Sequence, residues 1–464
     1  VFILRGSCAL SECNNLEGKV MHMARKLGSV MILGTAMLVG AVFGYSYGAE
    51  KDTVLVWGYL DAAHFVPMVK QAERTFTPKT GIRVKALGFG YDAPFNKILL
   101  AVASKQVPDV VFMQPDWPME LYSRGAVVDL KREFGDDYDR VAAPLFQGSL
   151  KEFEFQGAHF ALPTNLWTQN TFYRADIFKE NGFTVPETWD DIYALIPKLR
   201  TKGMDFIYRE GQVASGSSHY WGILDGLMPF VFQRGIDFYS EDGSRSLLDT
   251  PEGISAFKEF TELYTKYKIP MQANFQKVFR TGEAPLVVNG DIQIGGYRAV
   301  LKDVGKVETL KMALFPGRKR GSTIDHTANL YAWTQIMMKD SPNKKAAWEY
   351  LKWYVSEEPQ YDMMREWEKM LPGLPWKFSH VKATERFLAE VYSDVGGIIL
   401  EQTRISRQMR PVLGAFTIRR FVINAFNEVT LKGEDPEVAI KRAAGEMNKE
   451  IKRKQKEFER FIYK

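Results

Sequence analysis

The chain has 464 residues, 45% of them hydrophobic and 25% charged, a composition that excludes wholesale disorder and fibrous repeats. At about 150 residues per domain it predicts two or three domains. The net charge of +5 sits at the two ends: residues 50–440 carry 48 basic and 50 acidic groups, so the body lacks the positive excess a nucleic-acid binder needs. Both cysteines, Cys8 and Cys13, lie at the very start. Disulfides, thiolate-bound zinc and cysteine nucleophiles are therefore excluded for the rest of the chain. The six histidines form no H-E-x-x-H spacing, and no metal or cofactor is expected.

Taken in chain order, the first segment reads as an address. Arg25-Lys26 precedes Leu27 to Phe43, which is free of charge, and small residues follow to Ala49. A basic start, an apolar stretch and a small-residue exit are the parts of a secretory signal peptide. Residues 1–20 precede any methionine and read as upstream sequence, with Met21 or Met23 as the natural beginning. No cysteine follows the apolar stretch, so a lipid anchor is not expected. The mature chain is expected to begin between Tyr45 and Glu50 as an exported, soluble, monomeric protein, periplasmic or extracellular.

Strand and helix patterns then alternate. Thr53 to Trp57, Thr80 to Ala86 and Asp109 to Met113 read as strands; Ala63 to Phe76 and Tyr91 to Ser104 read as the helices between them. Such alternation implies βαβ units and a parallel sheet. Gln114 to Pro118 reads as a turn. Gln156-Gly157 sits in an alternating stretch and predicts a hairpin. Pro163 to Arg174 is polar and extended, as expected of a crossing between lobes. Thr188 with Asp191 predicts a capped helix start. Helices over 251–267 and 273–281 and a strand over Pro285 to Asn289 follow. Leu330 to Met338 is expected to return as a strand before a helix over Pro342 to Val355. The rest reads as mostly helical, and the charged segment from Ala439 to Lys464 as a solvated helix with internal ion pairs. The expected fold class is α/β, with two lobes and several crossings between them. The expected division is 50–166 plus about 328–390 for one lobe, and 167–327 plus about 391–464 for the other.

The search for chemistry turns up no catalytic arrangement. Phosphate-loop and dinucleotide fingerprints are absent; Gly88-Phe89-Gly90 lacks a third glycine. The one G-x-S-x-G, at Gly44 to Gly48, falls at the signal-peptide exit and not between a strand and a helix. Asp136-Asp137 and Asp190-Asp191 are neighbours that point apart on a helix. The distinctive feature is where aromatic and carboxylate residues fall. Trp57, Tyr91 and Trp117 follow or close the first three strands. Trp167 lies in the crossing, and Tyr220-Trp221 follow a Ser/Gly run. Asp61, Asp116 and Asp291 occupy strand-end loops, and Asn329 sits where the chain re-enters a strand. Ligands of α/β sheets bind beyond the carboxyl ends of strands, where rings offer faces to stack on and carboxylates accept from hydroxyls. These ten residues form the candidate ligand site.

Several segments, in order, resemble the extracellular solute-binding proteins of ABC importers, in the branch of maltose-binding protein. They are Thr80 to Val84, Pro108 to Phe112, Pro186-Glu-Thr-Trp189, Phe279 to Gly290 in place of an F-x-x-G-x-x-A-M-x-x-x-G signature, Ser341 to Ala347 and Val422 to Ala425. The resemblance implies two lobes that close on a solute and deliver it to a membrane permease. It puts Asp61 and Asp116 at sugar-binding carboxylates, and Trp167 at a position held by glutamate. Departures are as informative. Ala62 replaces a lysine, Met113 and Ile292 replace stacking tryptophans, Trp117 replaces an arginine, and Phe416 keeps an aromatic near the last helices. A maltodextrin cage is therefore not reproduced, and a different sugar or oligosaccharide is expected. A polyamine or glycerophosphodiester is the alternative among binding proteins, and a secreted glycosidase the alternative of another class.

Overall fold

The computed structural model describes residues 52–58, 60, 62–90, 94–208 and 219–462. The expected signal peptide, Asp61 and Tyr91 lie outside the described residues. The strands are β1 (Thr53–Gly58), β2 (Arg83–Gly88), β3 (Val110–Met113), β4 (Glu154–Phe155), β5 (Ala158–His159), β6 (Leu162–Arg174), β7 (Phe206–Tyr208), β8 (Leu286–Gly290), β9 (Leu310–Ala313), β10 (Arg318–Arg320), β11 (Thr323–Asp325), β12 (Leu330–Met337) and β13 (Lys377–Phe378). Nine of them form one sheet, ordered β2-β1-β3-β12-β6-β8-β7, with β9 and β13 also paired to β6.

β1 pairs in parallel with β2 and β3, as the strand–helix alternation predicts. Every residue of β3 is buried, which is why Val110 to Met113 reads as an unbroken apolar run. β12 returns antiparallel between β3 and β6, so the expected return of residues 330–338 holds. The predicted hairpin is present: Gln156 and Gly157 have φ of 50° and 83°, the positive pair that suits the twist of β4 and β5. The helix Trp189–Arg200 opens on the predicted capping box, with the Thr188 side chain accepting from Asp191 N and the Asp191 carboxylate accepting from Thr188 N.

β6 organises the molecule. Its first half pairs with β12 and β13, and from Gln169 onward its partners are β8 and β9. The polar sequence of this strand is satisfied inside the protein. Thr164 donates to Trp333 O at 3.0 Å, Thr171 to Leu314 O at 2.8 Å, and Gln169 to Asp225 O at 3.0 Å. Two hydrophobic cores pack against the sheet, and the first runs along both halves of it, through Phe172, Val287 and Met312 as well. One gathers Phe65, Phe112, Trp348, Tyr350 and Phe387, and also draws in Tyr392, Ile399, Leu413 and Phe458. The other gathers Trp189, Tyr208, Phe230, Phe260 and Phe426. The architecture is α/β, two lobes sharing a mixed sheet, and the chain crosses between them at β6 and again on its return to β12.

Three expectations shift. The strand expected from Thr80 begins at Arg83, because Thr77–Thr80 closes one helical turn that ends on left-handed Gly81. The expected turn at Gln114 to Pro118 holds at Pro115-Asp116 but runs straight into a helix, Trp117–Ser123, with Pro118 in its first turn, where a missing N–H costs nothing. The last helix, Pro436–Ile462, carries the expected ion pairs, including Lys441–Glu437 and Arg453–Glu450, but is not simply solvated. Ala439, Ile440, Ala443, Ala444, Met447 and Ile451 recur at helical spacing and are buried in the second core. No helix among the described residues is long and apolar enough to cross a membrane.

Candidate functional site

The site is built on one face of β6 and β12. Side chains two apart on a strand share a face, so Asn165, Trp167 and Gln169 line up on β6. Trp167 is paired with Tyr331 of β12, and the two rings stack at 5.2 Å and 22°. The aromatic run continues through Trp333, edge-on to Tyr331 at 6.4 Å, then Trp376, stacked on Trp333 at 5.1 Å, and Trp367, edge-on to Trp376 at 5.2 Å. Gly290, opposite β6 on β8, leaves room for the Trp167 ring: a Cβ there would lie 3.2 Å from Trp167 Cε3.

Carboxylates from both lobes approach this surface. Asp116 precedes the Trp117 helix and is buried. Its Oδ2 accepts from Arg419 Nη1 at 2.7 Å, and Arg419 comes from the helix Ala415–Lys432, whose Ile418 and Val422 belong to the other core. The Arg419 guanidinium also lies 4.3 Å from the Phe416 ring, which stacks on Phe95 at 5.3 Å, and Phe95 packs on Trp117 at 4.9 Å. Burial pushes Asp116 up to about 6 against the opposing pull of Arg419. Glu152, beside Phe153 of the first core, is buried as well. Burial raises it well above the ordinary carboxylate value, and the charges of Asp116 and then Asp225 raise it further. Asp225 lies in the helix His219–Phe232, next to Leu224 of the second core. Tyr331 is likewise raised by burial first and then by Asp116, Asp225 and Glu152, so all three carboxylates act on the ring that Trp167 stacks against.

Several polar atoms here are buried without a hydrogen-bond partner among the described residues: Asp116 Oδ1, Glu152 Oε2, and both amide atoms of Asn165 and of Asn329. A native fold leaves few such atoms, and each unmet one costs about 1–3 kcal/mol. Among the described residues no group of histidine, cysteine, aspartate and glutamate could hold a metal ion.

Of the sequence candidates, Asp116 and Trp167 both bear on Tyr331, Trp117 follows Asp116 with its ring on Phe95, and Asn329 lies one residue ahead of β12, two before Tyr331. Trp57 lies one residue before the end of β1, packs edge-on to Phe89 at 5.1 Å and is half-buried against the first core. Tyr220 and Trp221 fall in the first turn of the helix His219–Phe232, and their side chains lie outside what the structure describes. Asp291 is corrected. It is not an open loop carboxylate but is fully buried in the turn after β8. It accepts from Thr168 N at 3.3 Å and Thr168 Oγ1 at 3.0 Å and forms an ion pair with the equally buried Lys377. Burial lowers Lys377 from its usual value, and Asp291 opposes that fall. Residues not singled out from the sequence are Glu152, Asn165, Asp225, Tyr331, Trp333 and Arg419. The one local signal was polar Asn165 and Gln169 within a stretch that reads as a strand.

Two α/β lobes joined through a shared strand, with rings and carboxylates supplied from both, make the architecture of a two-lobe binding protein, and the family match agrees with it. The chain belongs to the bacterial extracellular solute-binding protein family, which it matches over residues 62–361. Among relatives, it is 26% identical over 267 residues to a maltotriose-binding protein of Pyrococcus abyssi, a match covering 56% of this chain and 53% of that one. An erythritol/L-threitol-binding protein of Mycolicibacterium smegmatis is 23% identical over 48% of each chain. The chain thus spans about half the length of these curated relatives. Among solved structures, the cyclic α-maltosyl-1,6-maltose binding protein of Arthrobacter globiformis superposes with a TM-score of 0.70 at 18% identity, covering 86% of this chain and 99% of that one. The likeness establishes the fold.

Proposed function

We propose that this protein binds a sugar or oligosaccharide between its lobes, unchanged, and hands it to an ABC-type import permease. The lobes divide as 50–166 plus about 328–390 and 167–327 plus about 391–464. The chain acts as an exported monomer outside the cytoplasmic membrane, and Tyr220-Trp221 border the ligand.

The observation that carries this reading is the stack of Trp167 on Tyr331 beside the unmet amides of Asn165 and Asn329. A pyranose or polyol offers an apolar face to the rings and hydroxyls that both donate and accept, which an amide needs on its two sides. That relatives are named for maltotriose and for erythritol and L-threitol supports the same ligand class. Closure requires only that the ligand touch both lobes when they are shut and one when they are open.

The test is a calorimetric and thermal-unfolding screen against mono-, di- and oligosaccharides and polyols, with Trp167→Ala alongside. A sugar at about 100 times its Kd raises stability by about 2.7 kcal/mol. Trp167→Ala weakens that sugar by at least the about 0.5–1.5 kcal/mol of a lost ring contact, while the protein stays folded. A variant that loses several kcal/mol of stability and keeps full affinity refutes the assignment, and so does release of a shorter sugar on incubation.

A further inference from the structure

Resting on the carbohydrate reading above, we propose that the sugar carries a free amino group, and that its ammonium is received by Glu152 with Asp116.

The starting point is an imbalance of charge. Asp116 already has a cation, Arg419 at 2.7 Å. Among the described residues no cation acts on Glu152: the charges that reach it are those of Asp116 and Asp225, and both repel. A carboxyl group desolvated in this way stays uncharged by keeping its proton, or becomes charged when a cation arrives. Among the described residues its Oε2 has no hydrogen-bond partner, and neither has Asp116 Oδ1. These are two acceptor atoms from the same lobe, buried and unmet.

The second observation is independent of the carboxylates. Asn165 and Asn329 are 1% and 0% exposed, and neither amide finds a partner among the described residues. Strand alternation puts Asn165 on the face of Trp167, and Asn329 two residues before Tyr331. Tyr331 is the ring on which Asp116, Asp225 and Glu152 all act. Strand geometry thus sets the amides beside the Trp167–Tyr331 pair of rings, and the charges of the carboxylates reach the same Tyr331 from other elements. The amides suit ligand hydroxyls, since each donates and accepts. Ionised carboxylates only accept, and among the described residues Arg419 is bonded to Asp116 alone, so a charge on Glu152 needs a cation from outside.

The classes of ligand can be separated on these grounds. A metal ion has no adequate donor group among the described residues. A linear polyamine would use the carboxylates but leave the four amide atoms unmet. A neutral sugar would use the amides and rings, with Glu152 keeping its proton and gaining no cation. An amino sugar uses all of them, and its ammonium with three N–H donors can satisfy Glu152 Oε2 and Asp116 Oδ1 together.

Proton linkage follows. The charged and titratable groups that act on Glu152 or are acted on by it are Asp116, Asp225 and Tyr331, and Asp116 is paired with Arg419. When an ammonium docks, it favours the Glu152 carboxylate, and the proton held there passes to the buffer.

The experiment uses the full-length protein and matched sugars: glucosamine, N-acetylglucosamine and glucose, with chitosan disaccharide, diacetylchitobiose and cellobiose, and the galactose counterparts. Spermidine is the non-sugar control. Each is titrated calorimetrically in two buffers of different ionisation enthalpy. The expected result is an amino member at least ten-fold tighter than its acetylated and hydroxyl partners, with net proton release for the amino member alone. Glu152→Gln reduces that preference, and Asp116→Asn does the same if the Gln variant fails to fold. Equal or better binding of neutral members, or no proton release, overturns the inference and leaves the carbohydrate reading standing. Binding of spermidine alone, or of no sugar, overturns both.

Discussion

Asp116 offers the sharpest quantitative handle on the site. Its carboxyl is raised from 3.8 to about 6 because the cost of burial outweighs the help of Arg419. In the unfolded chain the same group ionises near 3.9. Between about pH 4 and pH 6 the folded state therefore holds a proton that the unfolded state has lost. Stability falls as pH rises through this window, since its slope follows the protons bound by the unfolded state minus those bound by the native state. A shift of about two units at 1.36 kcal/mol each makes the loss roughly 3 kcal/mol, complete above about pH 6. Asp116→Asn removes the titration while keeping the shape and one acceptor for Arg419. Urea unfolding of both proteins across pH 4 to 7 isolates the effect as the difference between the two curves. Wild type should lose about 3 kcal/mol relative to the variant across the window. A difference that stays flat with pH, or moves in favour of wild type as pH rises, refutes the assignment of Asp116 as a desolvated carboxyl.

Two further outcomes test the surroundings of the site. Lys377→Met strands the Asp291 charge, and urea unfolding should show a loss of about 3–5 kcal/mol; adding Asp291→Asn should restore much of it, and no restoration would mean that packing, not charge, was lost. Gly290→Ala brings a Cβ to 3.2 Å from Trp167 Cε3, so the ring must shift by a few tenths of an ångström. Calorimetry with the bound sugar should show a several-fold weaker Kd with little change in Tm, and unchanged affinity would detach Trp167 from the ligand.

Much of the scaffold could be read in advance because its causes are local. Thr188 and Asp191 cap one another across three residues. Gln156-Gly157 supplies the turn conformation that joins β4 to β5. The apolar run at 110–113 needs no partner to be recognised as a buried strand. The site was legible only in part, because its parts meet through the fold. Asp116 and Arg419 are 303 positions apart, and nothing near either one announces the other. Trp167 drew attention as a ring in a polar stretch. Tyr331 and Trp333 did not, because β12 is buried along its whole length and its two faces look alike in the sequence. Asp291 misled for the converse reason. Asn289-Gly290 reads as an open loop, whereas the carboxylate turns inward to a lysine 86 positions away.

The continuity of β6 bears on how the protein unfolds. The strand hydrogen-bonds to β12 and β13 up to Thr168 and to β8 and β9 from Gln169, with no loop between the two sets. Neither lobe can melt without stripping partners from a segment the other also needs. Two hydrophobic cores are thereby tied into one cooperative transition, where two beads on a linker would give two. The same tie delays folding. β6 meets β12 only after more than 150 residues of intervening chain have been gathered, and pairings across such separations come late. The wide sequence span that brings a lysine to Asp291 and an arginine to Asp116 thus also sets the size of the smallest piece of this chain able to stand alone.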